Sequence, residues 1–143
     1  MAYVSQDLKK KIAPSIKAVL KKYKVKGTIA VRHHSTLVVN LKEGQIDFIE
    51  NFLGMPQRPN LSPRMDEKQI QYLRDSGRID VNPYWYHEHF SGKAKAFLTE
   101  LFAAMKPAGV WYDRSDAMVD YFDTAYYVDV NVGKYGKPYV VVA

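Results

Sequence analysis

The sequence predicts an α+β fold: a two-layer sandwich with a largely antiparallel sheet and two main helices on one face. Three observations carry this reading. Residues 5–24 and 92–106 each place their apolar side chains on one helical face. Residues 28–41 and 122–132 alternate apolar and polar side chains with a period of two and are rich in β-branched residues. No glycine-rich phosphate loop follows a strand and no repeated period appears, which argues against doubly wound and solenoid architectures.

Each element has a local reason. In the first helical region Ser5 can cap, Asp7 suits the first turn, and Leu8, Ile12, Ile16, Val19, Leu20 and Tyr23 form the apolar stripe. Pro14 lacks an N–H, so the helix either kinks there or starts near Ala13, and Gly27 ends the region. Residues 28–41 read as two strands turning over at His33-His34-Ser35, with one longer bulged strand as the alternative. Lys42-Glu43-Gly44 is a turn, and Ile46–Ile49 reads as a short third strand. The three prolines between 54 and 66 mark a loop, 67–75 suits a short helix closed by Gly77, and 54–77 therefore reads as an insertion. Ile79–Asn82 is a short strand ended by Pro83, and Ser91 is positioned to cap the 92–106 helix. The strand at 121–132 should bury Phe122, Tyr126, Val128 and Val130 and leave Asp123, Asp129 and Asn131 exposed. Residues 139–142 follow a turn as a last strand at an edge.

Bulk composition narrows the function classes. A chain of 143 residues suits one domain, 1–143, able to bury about two thirds of its unfolded surface. It contains no cysteine, which excludes disulfides, thiolate metal sites and a cysteine nucleophile. No run of about 18 apolar residues suggests a membrane span, and MAYVSQDLKKK lacks the apolar stretch of a secretory signal, so a cytoplasmic protein is expected. The formal net charge is +6, with a pI near 9.4, and such a field attracts polyanions.

Lys10, Lys17 and Lys21 recur at helical spacing on a face of the first helix, where they could meet phosphates. The run Tyr84-Trp85-Tyr86-His87-Glu88-His89-Phe90 lies between Arg78 and Lys93. Trp85 and Tyr86 beside those cations could stack on unpaired bases, or the aromatics could pack beneath the following helix. Arg32 in the strand-rich segment completes the set of candidate nucleic-acid contacts.

The remaining polar candidates are His33, His34, His87, His89, Asp116 and Asp120. His33 and His34 face opposite ways on an extended strand and converge on one ion only in a turn, whereas His87 and His89 share a face if extended and diverge in a helix. His33-His34-Ser35 and, loosely, His89-Phe90-Ser91 match the paired H-x-[ST] pattern of two-histidine phosphoesterases. Asp116 and Asp120 stand at helical spacing before the last long strand, where an aspartate can organise a turn. No DxDxDG loop supports a cation site. No catalytic residue, metal or cofactor is therefore assigned.

Taken together, IAVRHHSTLVVNLKEGQIDF, IDVNPYWYHEHFSGKAKAFLTELFAAM and SDAMVDYFDTAYYVDVNVGKYGKPY resemble the large polyvalent protein-associated domain type 29. The most specific pieces are His34-Ser35-Thr36-Leu37, Val81-Asn82, Ser115-Asp116, Asp120-Tyr121-Phe122, Tyr127 through Gly133, and Pro138-Tyr139. That family contributes domains to long proteins of phages and conjugative elements and has no assigned activity. The resemblance implies a mobile-element accessory protein inside a bacterial host, whose partner is nucleic acid or a host protein complex.

Overall fold

Ser5 opens the first helix by accepting the Leu8 N–H on its Oγ at 3.0 Å. In the computed structural model, which describes residues 3–54, 67–84, 86–107, 110–112, 124–134 and 137–142, helix α1 spans Gln6–Lys22 without interruption. Pro14 sits inside it on the exposed side, so the missing N–H costs one helical bond and no break. The helix stops well before Gly27. Tyr23 is its C-cap and Lys24 takes φ 55, the left-handed turn that often ends helices, while Gly27 lies in strand β1 at a bulge.

Strands β1 (Val25–Arg32) and β2 (Thr36–Gly44) form an antiparallel hairpin. Asp47 then accepts the Glu50 N–H and starts helix α2 (Phe48–Leu53), so Ile46–Ile49 is not the third strand its apolar content suggested. Short apolar runs fit either state, and here the aspartate cap decides. Helix α3 (Glu67–Ser76) and strand β3 (Ile79–Val81) follow on either side of Gly77. Beyond them come a single turn, α4 (Tyr86–His89), and the long helix α5 (Gly92–Met105). Ser91 caps α5 by backbone only; its N–H and C=O are both held by the Asn51 side chain of α2, at 2.9 and 3.1 Å. Strand β4 (Tyr127–Val132) and the two-residue β5 (Val140–Val141) complete the chain.

The sheet is mixed, with strand order β1-β2-β4-β3. Its outer pairs are antiparallel and the central β2–β4 pair is parallel, while β5 continues along β2 past the end of β4. The crossover from β2 to β4 carries α5, which packs with α1 on the same side of the sheet. Leu37, Val39 and Leu41 of β2 face Val130 and Val132 of β4 beneath Ile16, Phe97, Leu98 and Leu101, and every one of these side chains is sealed from solvent. Each contributes about 1.5–3 kcal/mol by leaving water. Phe48 fills the end of this layer, edge-on to Tyr139 at 5.3 Å and tilted against Phe97 at 5.6 Å.

Two tyrosines carry polar atoms into that core. The Tyr126 hydroxyl donates to the Met105 carbonyl at 2.6 Å, satisfying the last turn of α5, and the Tyr139 hydroxyl donates to the Ile46 carbonyl at 2.8 Å. Burial pushes the Tyr126 phenol up to about 12 and raises that of Tyr139 as well, the latter helped by the nearby Asp47 and Glu43 charges. In the unfolded chain both titrate near ~10, so above that pH the unfolded state holds fewer protons than the native one. Stability should therefore stay level up to about pH 10 and fall between ~10 and ~12, by about 1.4 kcal/mol per pH unit for each tyrosine. Urea titrations across that range check this, and Tyr126→Phe should flatten part of the decline while costing about 1–2 kcal/mol at neutral pH. A decline of the same steepness in that variant would remove Tyr126 as its cause.

Candidate functional site

Two surfaces bring the polar residues of the chain together. The first lies where α1 passes along the edge strand β1. Lys9, Lys10 and Lys17, with Gln6, line a groove of about 410 Å³ floored by Ala13, Leu20 and the Gly27–Ile29 stretch of β1. Lys10 and Lys17, which helical spacing places on one face, both line this groove. Lys9 was not singled out, although the steps of four from Lys9 through Ala13 to Lys17 put all three on one ridge. Lys21 lies exposed one turn beyond the groove and does not line it.

The charge state of α1 differs between its two sides. Toward α5, Lys22 is paired with Glu100 at 2.7 Å, and the Tyr23 hydroxyl donates to the same carboxylate. Those two donors hold the Glu100 carboxyl below its ordinary range, Lys22 contributing most. Toward β1, none of Lys9, Lys10 and Lys17 forms an ion pair among the described residues. The groove is thus a line of unneutralised cations with an apolar floor.

The second surface is the sheet face turned away from the helices. Alternation places Arg32, Thr36 and Tyr127 in one row across β1, β2 and β4, Ala30, Val38 and Asp129 in the next, and Thr28, Asn40, Asn131 and Asp80 in a third that reaches β3. Arg32 forms an ion pair with Asp129 at 3.0 Å, and the Asn131 amide donates to Asn40 at 3.2 Å and to Asp129 at 3.4 Å. Thr28, in the same row, has a buried hydroxyl with no partner among the described residues. Arg78, Asp80 and Lys134 border an open polar depression of about 450 Å³ over these side chains. Asp129 faces the side that alternation requires, yet its side chain is only 22% exposed. The expected solvent aspartate is a half-buried member of a network.

The other expected contacts scatter. Tyr86 is tilted against Phe102 at 4.8 Å, with its hydroxyl near Thr99, and Phe90 is fully buried, so this part of the aromatic run supports α5 instead of forming a stacking platform. Tyr84 stands out in solvent, Lys93 is exposed on the first turn of α5, and Trp85 lies outside the described residues. His33 and His34 form the hairpin turn itself, with φ of 53 and 60 and the Ser35 N–H returning to the Arg32 carbonyl, a type I′ arrangement. Histidine tolerates the left-handed region better than most residues. His89 packs edge-on to Phe52 and His87 against Tyr86 on the short α4, where the two diverge. Asp116 and Asp120 lie outside the described residues. Among the described residues no three His, Asp or Glu side chains gather closely enough to hold a metal ion, and no helix is long and apolar enough to cross a membrane.

No family model, curated protein or solved structure matches the chain.

Proposed function

We propose that the protein is a non-enzymatic nucleic-acid-binding module that seats a phosphate backbone in the lysine groove between α1 and β1. The observation that carries this is the contrast along α1: Lys9, Lys10 and Lys17 face one groove without acidic partners among the described residues, while Lys22 on the opposite side is neutralised by Glu100. Cations held in a row beside a low-dielectric floor attract a polyanion and gain entropy by releasing its counterions. The net charge of +6 supports the same reading. The resemblance of three long stretches to a phage and conjugative-element domain supports a mobile-element accessory protein in the bacterial cytoplasm.

Affinity for labelled DNA or RNA should fall between ~50 and ~200 mM salt by about 20-fold for a single strand and about 40-fold for a duplex if the three lysines each meet one phosphate. A fluorescence-polarisation titration measures this, and a salt-insensitive affinity would count against phosphate contact. A second reading, an inhibitor or adaptor of a host defence or nucleic-acid-processing complex, has its own observation. Strand β1 presents eight residues of outer edge with no partner strand among the described residues, which an extended segment of another protein could join. A stoichiometric complex that survives nuclease treatment would favour it.

A further inference from the structure

We infer that the nucleic acid is single-stranded and that its bases lie on the open sheet face, with Tyr127 as the stacking platform. This rests on the reading of the lysine groove and specifies its ligand. The two surfaces meet at β1: residues Gly27–Ile29 floor the groove, and Thr28 also begins the Asn40–Asn131–Asp80 row of the open face. A strand whose phosphates run along Lys9, Lys10 and Lys17 can therefore turn its bases over the edge of the sheet.

Val38 in the middle row is buried, but the Tyr127 end of this face and the depression over Asn40, Asn131 and Asp80 are accessible and offer what unpaired bases need. Tyr127 projects from β4 with 51% of its surface exposed, although its strand neighbours Val128 and Asp129 are half-buried. It shares a row with Arg32, which extends over the sheet to Asp129. An exposed ring beside a planar guanidinium is a sequence-tolerant surface for stacking. Behind it, Asn40 and Asn131 carry donors and acceptors at fixed spacing, and Asp80 can accept from an exocyclic amine, so base edges meet groups able to read them. Lys134 borders the far side and offers charge complementary to a further phosphate. Duplex cannot use this face in the same way, because its bases are already stacked and paired.

Fluorescence polarisation with matched single-stranded and duplex oligonucleotides, DNA and RNA, tests the inference on the full chain. Single strands should bind more tightly. Tyr127→Ala should weaken single-strand binding roughly fivefold to hundredfold, the range that loss of base stacking covers, while changing duplex binding by less than about twofold. Tyr127→Phe should keep single-strand binding, since the ring and not the hydroxyl does the stacking. Tyr127 is exposed, and an unchanged thermal midpoint would confirm that both variants fold. Photo-crosslinking from a halogenated base should label β4. Equal affinity for single strands and duplex, with Tyr127→Ala inert and the groove lysines still required, would overturn the sheet-face path and leave the groove reading standing. Absence of any binding at micromolar protein in ~50 mM salt would overturn both.

Discussion

Gly133→Ala should lower the unfolding free energy by about 3–5 kcal/mol, the largest single-residue effect expected here. Gly133 ends β4 with φ 74, in the left-handed region that side chains resist. A β-carbon there would lie 2.2 Å from the Gly77 carbonyl oxygen and 2.9 Å from the Tyr139 nitrogen. Those two atoms are hydrogen-bonded to each other at 2.9 Å, so the methyl group would have to force the contact apart. The damage would spread to Tyr139, whose ring packs on Phe48 and whose hydroxyl holds the Ile46 carbonyl. Gly92→Ala supplies the control. Gly92 also has positive φ, at 57, but a β-carbon would meet nothing within 4 Å, so backbone strain alone should cost about 1–2 kcal/mol. Urea midpoints at constant slope measure both variants. Similar losses at the two sites would show that the crossing of backbones at Gly133 is not what holds this corner.

Reversing Lys9, Lys10 and Lys17 to glutamate should weaken nucleic-acid binding by about hundredfold or more at ~100 mM salt and reduce the salt slope by about 2–3. The loss should be the same for every sequence, because lysine–phosphate contacts carry no base information. The substitutions suit the helix: glutamate at 17 pairs favourably with Lys21 one turn on, and glutamates at 9 and 10 sit in its N-terminal half. They also take the formal net charge from +6 to zero, so position must be separated from total charge. Lys11, Lys68 and Lys95 are exposed and do not line the groove, and reversing them changes the net charge equally. That control should keep most of the affinity and of the salt slope. Equal losses in the two triple variants would assign binding to the overall field and not to the groove.

Periodicity made the framework readable in advance. The stripe Ile12–Ile16–Leu20 predicts α1 and the face it buries, and the alternation of Val128, Val130 and Val132 against Asp129 and Asn131 predicts which way each residue of β4 points. Local chemistry was harder to weigh where two signals competed. Pro14 allowed a helix start near Ala13, yet Ser5 capped the helix a full two turns earlier and it runs on through the proline; Ile46–Ile49 is β-branched enough for a strand, yet Asp47 capped a helix. In each case a term of about 1–3 kcal/mol was decided by what the segment could bury or cap. The lysine groove was half visible, since helical spacing ties Lys10 to Lys17 but does not say which strand they will lie beside.

The open face depended on the tertiary structure entirely. Period two tells a residue which side of a sheet it occupies and nothing about its neighbour in the next strand. Asn40 and Asn131, 91 positions apart, touch because β2 and β4 pair in parallel after a crossover through α5. Burying Leu37, Val39 and Leu41 beside Val128, Val130 and Val132 sets their register, and a slip of one residue would turn the polar row into the core. The same pairing brings Arg32 to Asp129 and half-buries an aspartate that alternation alone assigns to solvent. Side chains a few residues apart are enough to specify α1, α5, the β1–β2 hairpin and the alternation of β4. Which faces meet, and therefore which polar groups assemble into a site, was decided by long-range burial of apolar surface.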